Sequence, residues 1–507
     1  MQKLRNLSIL IAIMMTTIGA YAQSKNLSGP IAIEGTLTKA YESLRANTPV
    51  IVRGLHYLKN NNQSTDDHYI LALEINCMQV AFPAYLSKNI EFKPKTEKEF
   101  WQSVCIKHGI YEYFDKKGYR YDLRKELDQE SLDYLDKLSQ IEYKDDYITE
   151  YVESHFAKTS VFQVLSHRPE KLNIRVIQSP DPDAYMLPNG SMLVSTGLLG
   201  VLDSEEELMA IISNETAHYL LDHQLYNVVR AERRTKRAIF WSQVLSDVAN
   251  DAADIAWHED SNAAWGVSLA ASIGSAIALV NAQTVNRLGM CYTSSQEAEA
   301  DRIAKEFLTF KGMNPDALSS ALSKIYRYYS SENRYNDLTR YTSCGDLNKR
   351  IENLGKAESL VSHSYLKATS DVVTFNAAMY QSAKNYELAK RFTNKNIANK
   401  LASSHDYVIL TKAIMAQENT EESNNECMEL LKKAKEQSKS TNIDIYKQEI
   451  LLLMRMQKQV QANELLKQYQ TILSQYRKQS DISAKDLEWI SEEEGWADKL
   501  ISKINIL

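Results

Sequence analysis

The chain has 507 residues, too many for a single hydrophobic core, and its length fits about three domains. Its formal charge is −6 with no dense Lys/Arg stripe, which leaves no basis for nucleic-acid binding. With 16 Gly and 9 Pro, long stretches run free of breakers and helix should dominate, while 5 Cys (77, 105, 291, 344, 427) are an odd, sparse set that implies no disulfide framework.

The first 22 residues place Lys3 and Arg5 before a short apolar run that ends on Ala20-Tyr21-Ala22. That is the pattern of a secretory signal peptide cut before Gln23. An uncleaved anchor is the weaker alternative, because the run is shorter than the ~20 residues a spanning helix needs. The expected product is exported, whether periplasmic, outer-membrane-associated or secreted, with no stable membrane span after cleavage. Residues 23–145 read as a helical region to which the sequence assigns no role. Apolar residues recur at helical spacing in TLTKAYESL and DHYILALEINCMQVAF, with a polar break at 60–67. The aromatic stretch 100–123 reads as core plus amphipathic Tyr before it reads as a binding surface. A charged helical pair or linker follows it.

Residues 146–358 carry the chemistry. A helix at DYITEYVESHFAKT precedes a strand at LNIRVIQSP, and Leu187-Pro188-Asn189-Gly190 is a turn between two further short strands. Ser204 followed by Glu207 is a capping-box pattern that opens the helix LMAIISNETAHYLLDH (208–223). On that helix Asn214, Glu215 and His218 stand on one side, with Leu208, Ile211 and Ile212 as its buried stripe. The basic run at 228–237 reads as a solvated face. Residues 264–281 are small and apolar, and read as a packed helical lid in preference to a membrane contact. In SSQEAEADRIAKEFLTF, Glu297 and Asp301 share a face at i and i+4.

These blocks, in this order, together with RYTSCGDLNKRIENL at 340–354, resemble metallopeptidase family 48, the HtpX-like and CaaX-prenyl-protease-like zinc endopeptidases. In an H-E-x-x-H helix two imidazoles one turn apart hold Zn²⁺, and the Glu activates a metal-bound water. The resemblance implies a gluzincin-type domain in a mainly α (α+β) chain with a small sheet. It implies Glu215 as general base and His218 and Glu297 as ligands of one zinc ion, with Asp301 as the carboxylate that orients a ligand on the metal helix. Asn214 stands where the family has its first His, and an amide is a poor zinc ligand, so the ion is either weakly held or lost. The family's His-Pro pair has become Cys344-Gly345. Cys344 is therefore a structural cysteine near the metal position, or a thiolate replacement for the lost ligand. Met192, Leu193, Val194 and Ser195 are the candidate edge strand for main-chain pairing with substrate, with an ordinary sheet strand as the alternative.

Residues 359–507 read as helix pairs of roughly tetratricopeptide length, with small residues Ala378, Ala389, Ala413 and Ala462 at the approaches. Such an array binds protein on its concave face. Two functions remain open. One is an exported zinc endopeptidase acting on envelope proteins, in protein quality control. The other is a pseudopeptidase that holds clients in the cleft and partners on the tail. A plain repeat scaffold leaves the strand and helix blocks unexplained.

Overall fold

The computed structural model describes residues 25–26, 31–58, 68–110, 119–159, 173–232, 288–331, 347–355, 357, 360–438, 442–478 and 482–504. The expected signal peptide, the apolar stretch 264–281, Cys344 and the second half of the basic run at 228–237 lie outside them.

The N-terminal region departs from the helical expectation. β1 (Lys25–Asn26), β2 (Ile33–Leu37), β3 (Pro49–Leu58), β4 (His68–Ile75), β5 (Met78–Pro83) and β6 (Ile90–Lys93) form one antiparallel sheet. Its order is β5-β4-β3-β2-β6, with β1 also on β3. The reason is visible in β4, where Leu71, Leu73 and Ile75 are buried and alternate with Ala72 and Glu74. Period two places one face in a core, whereas a helix would scatter these residues around its circumference. Asn76 and Cys77 both have positive φ (50° and 64°), the geometry of a two-residue hairpin turn, and Ile75 pairs with Met78 across it. The helical expectation holds from Glu97 onward, through α1 (Glu97–Lys107) and α2 (Tyr119–Leu138). Phe100 and Trp101 of α1 are buried, as the core reading of that stretch expects.

α3 (Asp146–Ala157) leads into a three-stranded sheet of β7 (Ile174–Ile177), β8 (Ala184–Met186) and β9 (Met192–Ser195), in the order β7-β9-β8. α4 (Thr196–Val201) follows at once, and α5 (Glu205–Leu220) starts where Ser204 accepts a hydrogen bond from Glu207 N, as the capping pattern expects. α6 (His223–Glu232), α7 (Ser294–Phe310), α8 (Ala317–Ser331) and α9 (Leu347–Leu354) complete this part. α5 is buried from Glu207 to Leu220, so it is the axis around which the others pack. The Trp101 ring stacks on Phe307 of α7 with centroids 4.9 Å apart, which fixes the N-terminal sheet and its helix against the second site helix.

The rest is helical: α10 (His363–Ser382), α11 (Tyr386–Ala398), α12 (Ser404–Gln417), α13 (Glu421–Gln437), α14 (Ile443–Arg455), α15 (Gln459–Tyr476) and α16 (Ala484–Ile504). α10 docks on α4, with Asn376 Nδ2 donating to Thr196 O at 2.7 Å and Tyr365 OH to Leu199 O at 3.0 Å. That docking needs small residues, because a Cβ at Gly200 would lie 2.6 Å from Asn376 Nδ2. The whole is mainly α with two small sheets, which is the expected class. Among the described residues no helix is long and apolar enough to cross a membrane.

Candidate functional site

α5 and α7 pack side by side, and their i, i+4 pairs face each other. His218 Nε2 lies 3.3 Å from Glu297 Oε2, and Asn214 Nδ2 donates to Asp301 Oδ1 at 2.8 Å. All four side chains are buried. Glu215, also buried, accepts from Met186 N of β8 at 3.2 Å, so it lies against the sheet. The structure thus brings Asn214, Glu215, His218, Glu297 and Asp301 to one place.

The His218 ring is tightly fixed. Its Nδ1 lies 2.9 Å from Nδ1 of His223, one of the two donating, and the ring stacks on Tyr292 at 3.5 Å between centroids. Gln224 Nε2 holds that tyrosine's hydroxyl at 3.0 Å and Met186 O at 2.9 Å. Burial pushes the His218 imidazolium pKa down to about 3, outweighing the opposing pull of Glu297, so the ring is neutral near pH 7. Fixing one ring nitrogen by a hydrogen bond and turning the other inward is how a metal-binding His is usually prepared.

Arg350 of α9 enters from the opposite side. Its Nε and Nη2 bond the two Asp301 oxygens at 3.0 and 2.6 Å, and its Nη1 lies 2.8 Å from Glu297 Oε2. The guanidinium therefore pairs with both buried carboxylates of α7, one positive charge shared between two acidic groups. Burial raises the Asp301 carboxyl above its usual range, and Arg350 opposes that rise. Between Asn214, Glu215, Glu297 and Arg350 there remains a cavity of about 10 Å³, room for about one water.

The donor set does not complete a zinc site. His218 Nε2 and Glu297 Oε2 are suitably spaced, since two donors on one tetrahedral zinc lie about 3.3 Å apart, and Nε2 is buried without a hydrogen bond. Among the described residues a third strong donor is missing, because Asn214 offers a neutral amide whose NH₂ is committed to Asp301, and Cys344 lies outside them. The Glu297 oxygen nearest His218 is also the one that Arg350 holds. Among the described residues no group of three His, Cys, Asp or Glu is placed to hold a metal ion.

A sequence model of peptidase family M48 matches residues 148–405, just over half of the chain. The chain belongs to peptidase family M48. Members of this family are typically zinc-dependent. It is 24% identical over 149 residues to a Schizosaccharomyces pombe protein named mitochondrial metalloendopeptidase OMA1, covering 27% of this chain and 44% of that one. It is 31% identical over 88 residues to the mitochondrial OMA1 metalloendopeptidase of Danio rerio (16% and 18% covered) and 42% identical over 50 residues to that of Bos taurus (10% and 10% covered). The chain spans less than half the length of each of these M48 relatives.

The expected substrate strand is corrected. Met192, Leu193, Val194 and Ser195 form β9, the central strand of its sheet, parallel to β7 on one side and antiparallel to β8 on the other. Its main chain is taken up by these neighbours, and the strand beside Glu215 is β8. The apolar character of MLVS expresses burial on both faces, which period alone cannot separate from an edge. Cys344 lies outside the described residues. Cys77 and Cys105 are free thiols, so they do not pair with each other, and Cys291 is disulfide-bonded. Arg350, His223, Gln224 and Tyr292 were not among the expected site residues. His223 opens α6 just after the break at Asp222, whose φ is positive (59°), so helical periodicity from His218 does not point to it. No local pattern pointed to Tyr292.

Proposed function

We propose that this chain is a non-hydrolytic member of its peptidase family, an exported protein that retains the peptidase cleft to bind extended segments of envelope proteins. The observation that carries the reading is the pairing at the first ligand position. Asn214 gives its NH₂ to Asp301, and Arg350 supplies the positive charge beside Glu297 and Asp301. With that charge in place both carboxylates have a cationic protein partner, and Glu215 has a main-chain partner in Met186 N. Client binding by strand addition would use the side of β8 away from β9, where Glu215 and Gln224 now hold Met186 N and O and would have to yield them to the incoming main chain. The stacked helices from His363 onward, read as tetratricopeptide-like, would offer partner proteins a surface.

A second reading is hydrolysis with a zinc ion held weakly by His218 and Glu297. One observation favours it: His218 Nε2 is buried, has no hydrogen bond and faces Glu297.

The test compares the native chain with Glu215→Gln on unfolded protein substrates and a fluorogenic peptide mixture with zinc supplied, measuring cleavage and binding in parallel. Equal, background-level cleavage with retained binding is expected. Cleavage by the native chain that Glu215→Gln abolishes would sink the non-hydrolytic reading.

A further inference from the structure

A second cavity, of about 350 Å³, opens where α8, α10 and α11 meet the end of α4 and the start of α5. It lies about 15 Å along α5 from Asn214, ten residues at 1.5 Å each, and shares no lining residue with the cavity at Glu215. It is therefore independent of the metal question.

The cavity has a settled floor and an unsettled rim. On the floor, Lys324 Nζ lies 2.6 Å from Asp203 Oδ2 and 2.7 Å from Glu207 Oε1. Lys395 Nζ lies 2.7 Å from Asp203 Oδ1 and donates to Gly200 O and Leu202 O, each at 2.7 Å. Two ammonium groups face two carboxylates, so the floor is neutral and its donors are oriented. The rim carries Arg327 and Arg391, both exposed. Among the described residues neither pairs with a carboxylate: no ion pair is made by Arg327, and Arg391 Nη1 donates to Ser331 Oγ at 3.2 Å. Ser331 is four residues beyond Arg327 on α8, hence one turn away on the same face, so that bond brings the Arg391 guanidinium next to Arg327. Two unpaired guanidinium groups side by side repel each other, and an anion between them removes the repulsion. Phe392, Leu366 and Val201 add apolar lining to the same cavity.

We infer that this cavity binds a small organic anion, a carboxylate or phosphate ester, whose charged group sits between Arg327 and Arg391 and whose apolar body lies against Phe392 and Leu366. Volume, charge and lining agree on this class. The space suits a small ligand, the charge left over is two positive, and the walls are half apolar. Because Arg327 stands on α8 and Arg391 on α11, the ligand would tie these two helices together.

The experiment is calorimetric titration of the full chain with phenyl phosphate, N-acetyl-leucine, its amide and inorganic phosphate, at low and high salt, repeated with Arg327→Gln, Arg391→Gln and the double variant. Both arginines are exposed, so the variants should melt as the native chain does without ligand. Saturable binding of at least one organic anion is expected, weaker at high salt and about tenfold or more weaker in the double variant, with the uncharged amide silent. Preference for N-acetyl-leucine over phenyl phosphate would identify a carboxylate source such as a peptide terminus, and the reverse a phosphate ester. Absence of saturable binding by either organic anion, or binding untouched by the double variant, overturns the inference. Inorganic phosphate binding as tightly as phenyl phosphate overturns it too, since the apolar wall would then be idle.

Discussion

Replacing Asn214 with His should turn the site into a zinc site. The imidazole would stand one helical turn from His218 and next to Asp301, which now accepts from Asn214 at 2.8 Å and could hold the new ring in the same way. Arg350 keeps two bonds to Asp301, at 3.0 and 2.6 Å, and can therefore release Glu297 Oε2 without leaving the site. Removing only an outer partner of a zinc ligand costs roughly 10–100-fold in affinity, so supplying a whole ligand should strengthen zinc binding by at least about a hundredfold. Zinc at a hundred times the variant's Kd would add about 2.7 kcal/mol to its stability and nothing comparable to the native chain. The assay is bound zinc per chain by elemental analysis after equilibration in chelator-buffered zinc, with melting curves at each free-zinc level. Adding His218→Ala or Glu297→Gln to the variant should abolish the gain. One zinc per native chain, lost in His218→Ala and held as firmly as in Asn214→His, would refute the argument from the donor set.

Arg350→Met should leave Glu297 and Asp301 as buried, uncompensated carboxylates and destabilise by about 3–5 kcal/mol, seen as a lower denaturation midpoint. An unchanged midpoint would remove Arg350 as their counter-charge. Gly197→Ala would place a Cβ 2.1 Å from Pro180 O, a backbone atom that cannot yield, at a cost of about 3 kcal/mol or more, with unaltered melting as the contrary result. Of the three free thiols among the described residues, only Cys77 at the hairpin tip should react with a thiol reagent in the native chain. Cys105 and Cys427 are buried, and burial raises their thiols to about 12 and about 11. For His218 the folded pKa of about 3 lies below the ~6.5 of an unfolded chain, so protons bind the unfolded state first. Stability should be full above pH 6.5 and fall toward pH 3 by on the order of 4 kcal/mol, a slope that a urea midpoint series should find reduced in His218→Gln.

The parts of the molecule that were legible in its sequence are those where local pattern and tertiary role coincide. Ser204 caps α5, the helix at 294–310 presents Glu297 and Asp301 on one face, and the two helices meet as the family resemblance implies. The N-terminal sheet was hidden because runs such as YILALEI satisfy helical spacing loosely while alternating strictly in burial, and no glycine marked the turn. Asn76 and Cys77 take positive φ instead. Helix ends were similarly masked, since α10, α11 and α14 are followed by positive-φ residues Lys384, Lys400 and Gln457 where glycine is usual. β9 was misplaced as an edge because four apolar residues reveal burial but not how many neighbours provide it. Arg350 acts across the site from a helix some 50 residues further along the chain than Glu297, a distance at which sequence carries no periodic signal.

The remaining question is why a site with a missing ligand keeps its shape. In many zinc sites the metal contributes folding free energy, and its removal leaves like charges facing each other in a dry interior. Here the two charged members, Glu297 and Asp301, are bridged by one guanidinium, and the substituted position is hydrogen-bonded to one of them. His218, the member without such compensation, is neutral, so its unpaired Nε2 costs about 1–3 kcal/mol, far less than a buried charge would. The charged part of the constellation is therefore held together by protein contacts, with Arg350 shared between Glu297 and Asp301. What it preserves is the position of Glu215 beside β8, held through Met186 N, which is the geometry a bound strand would meet.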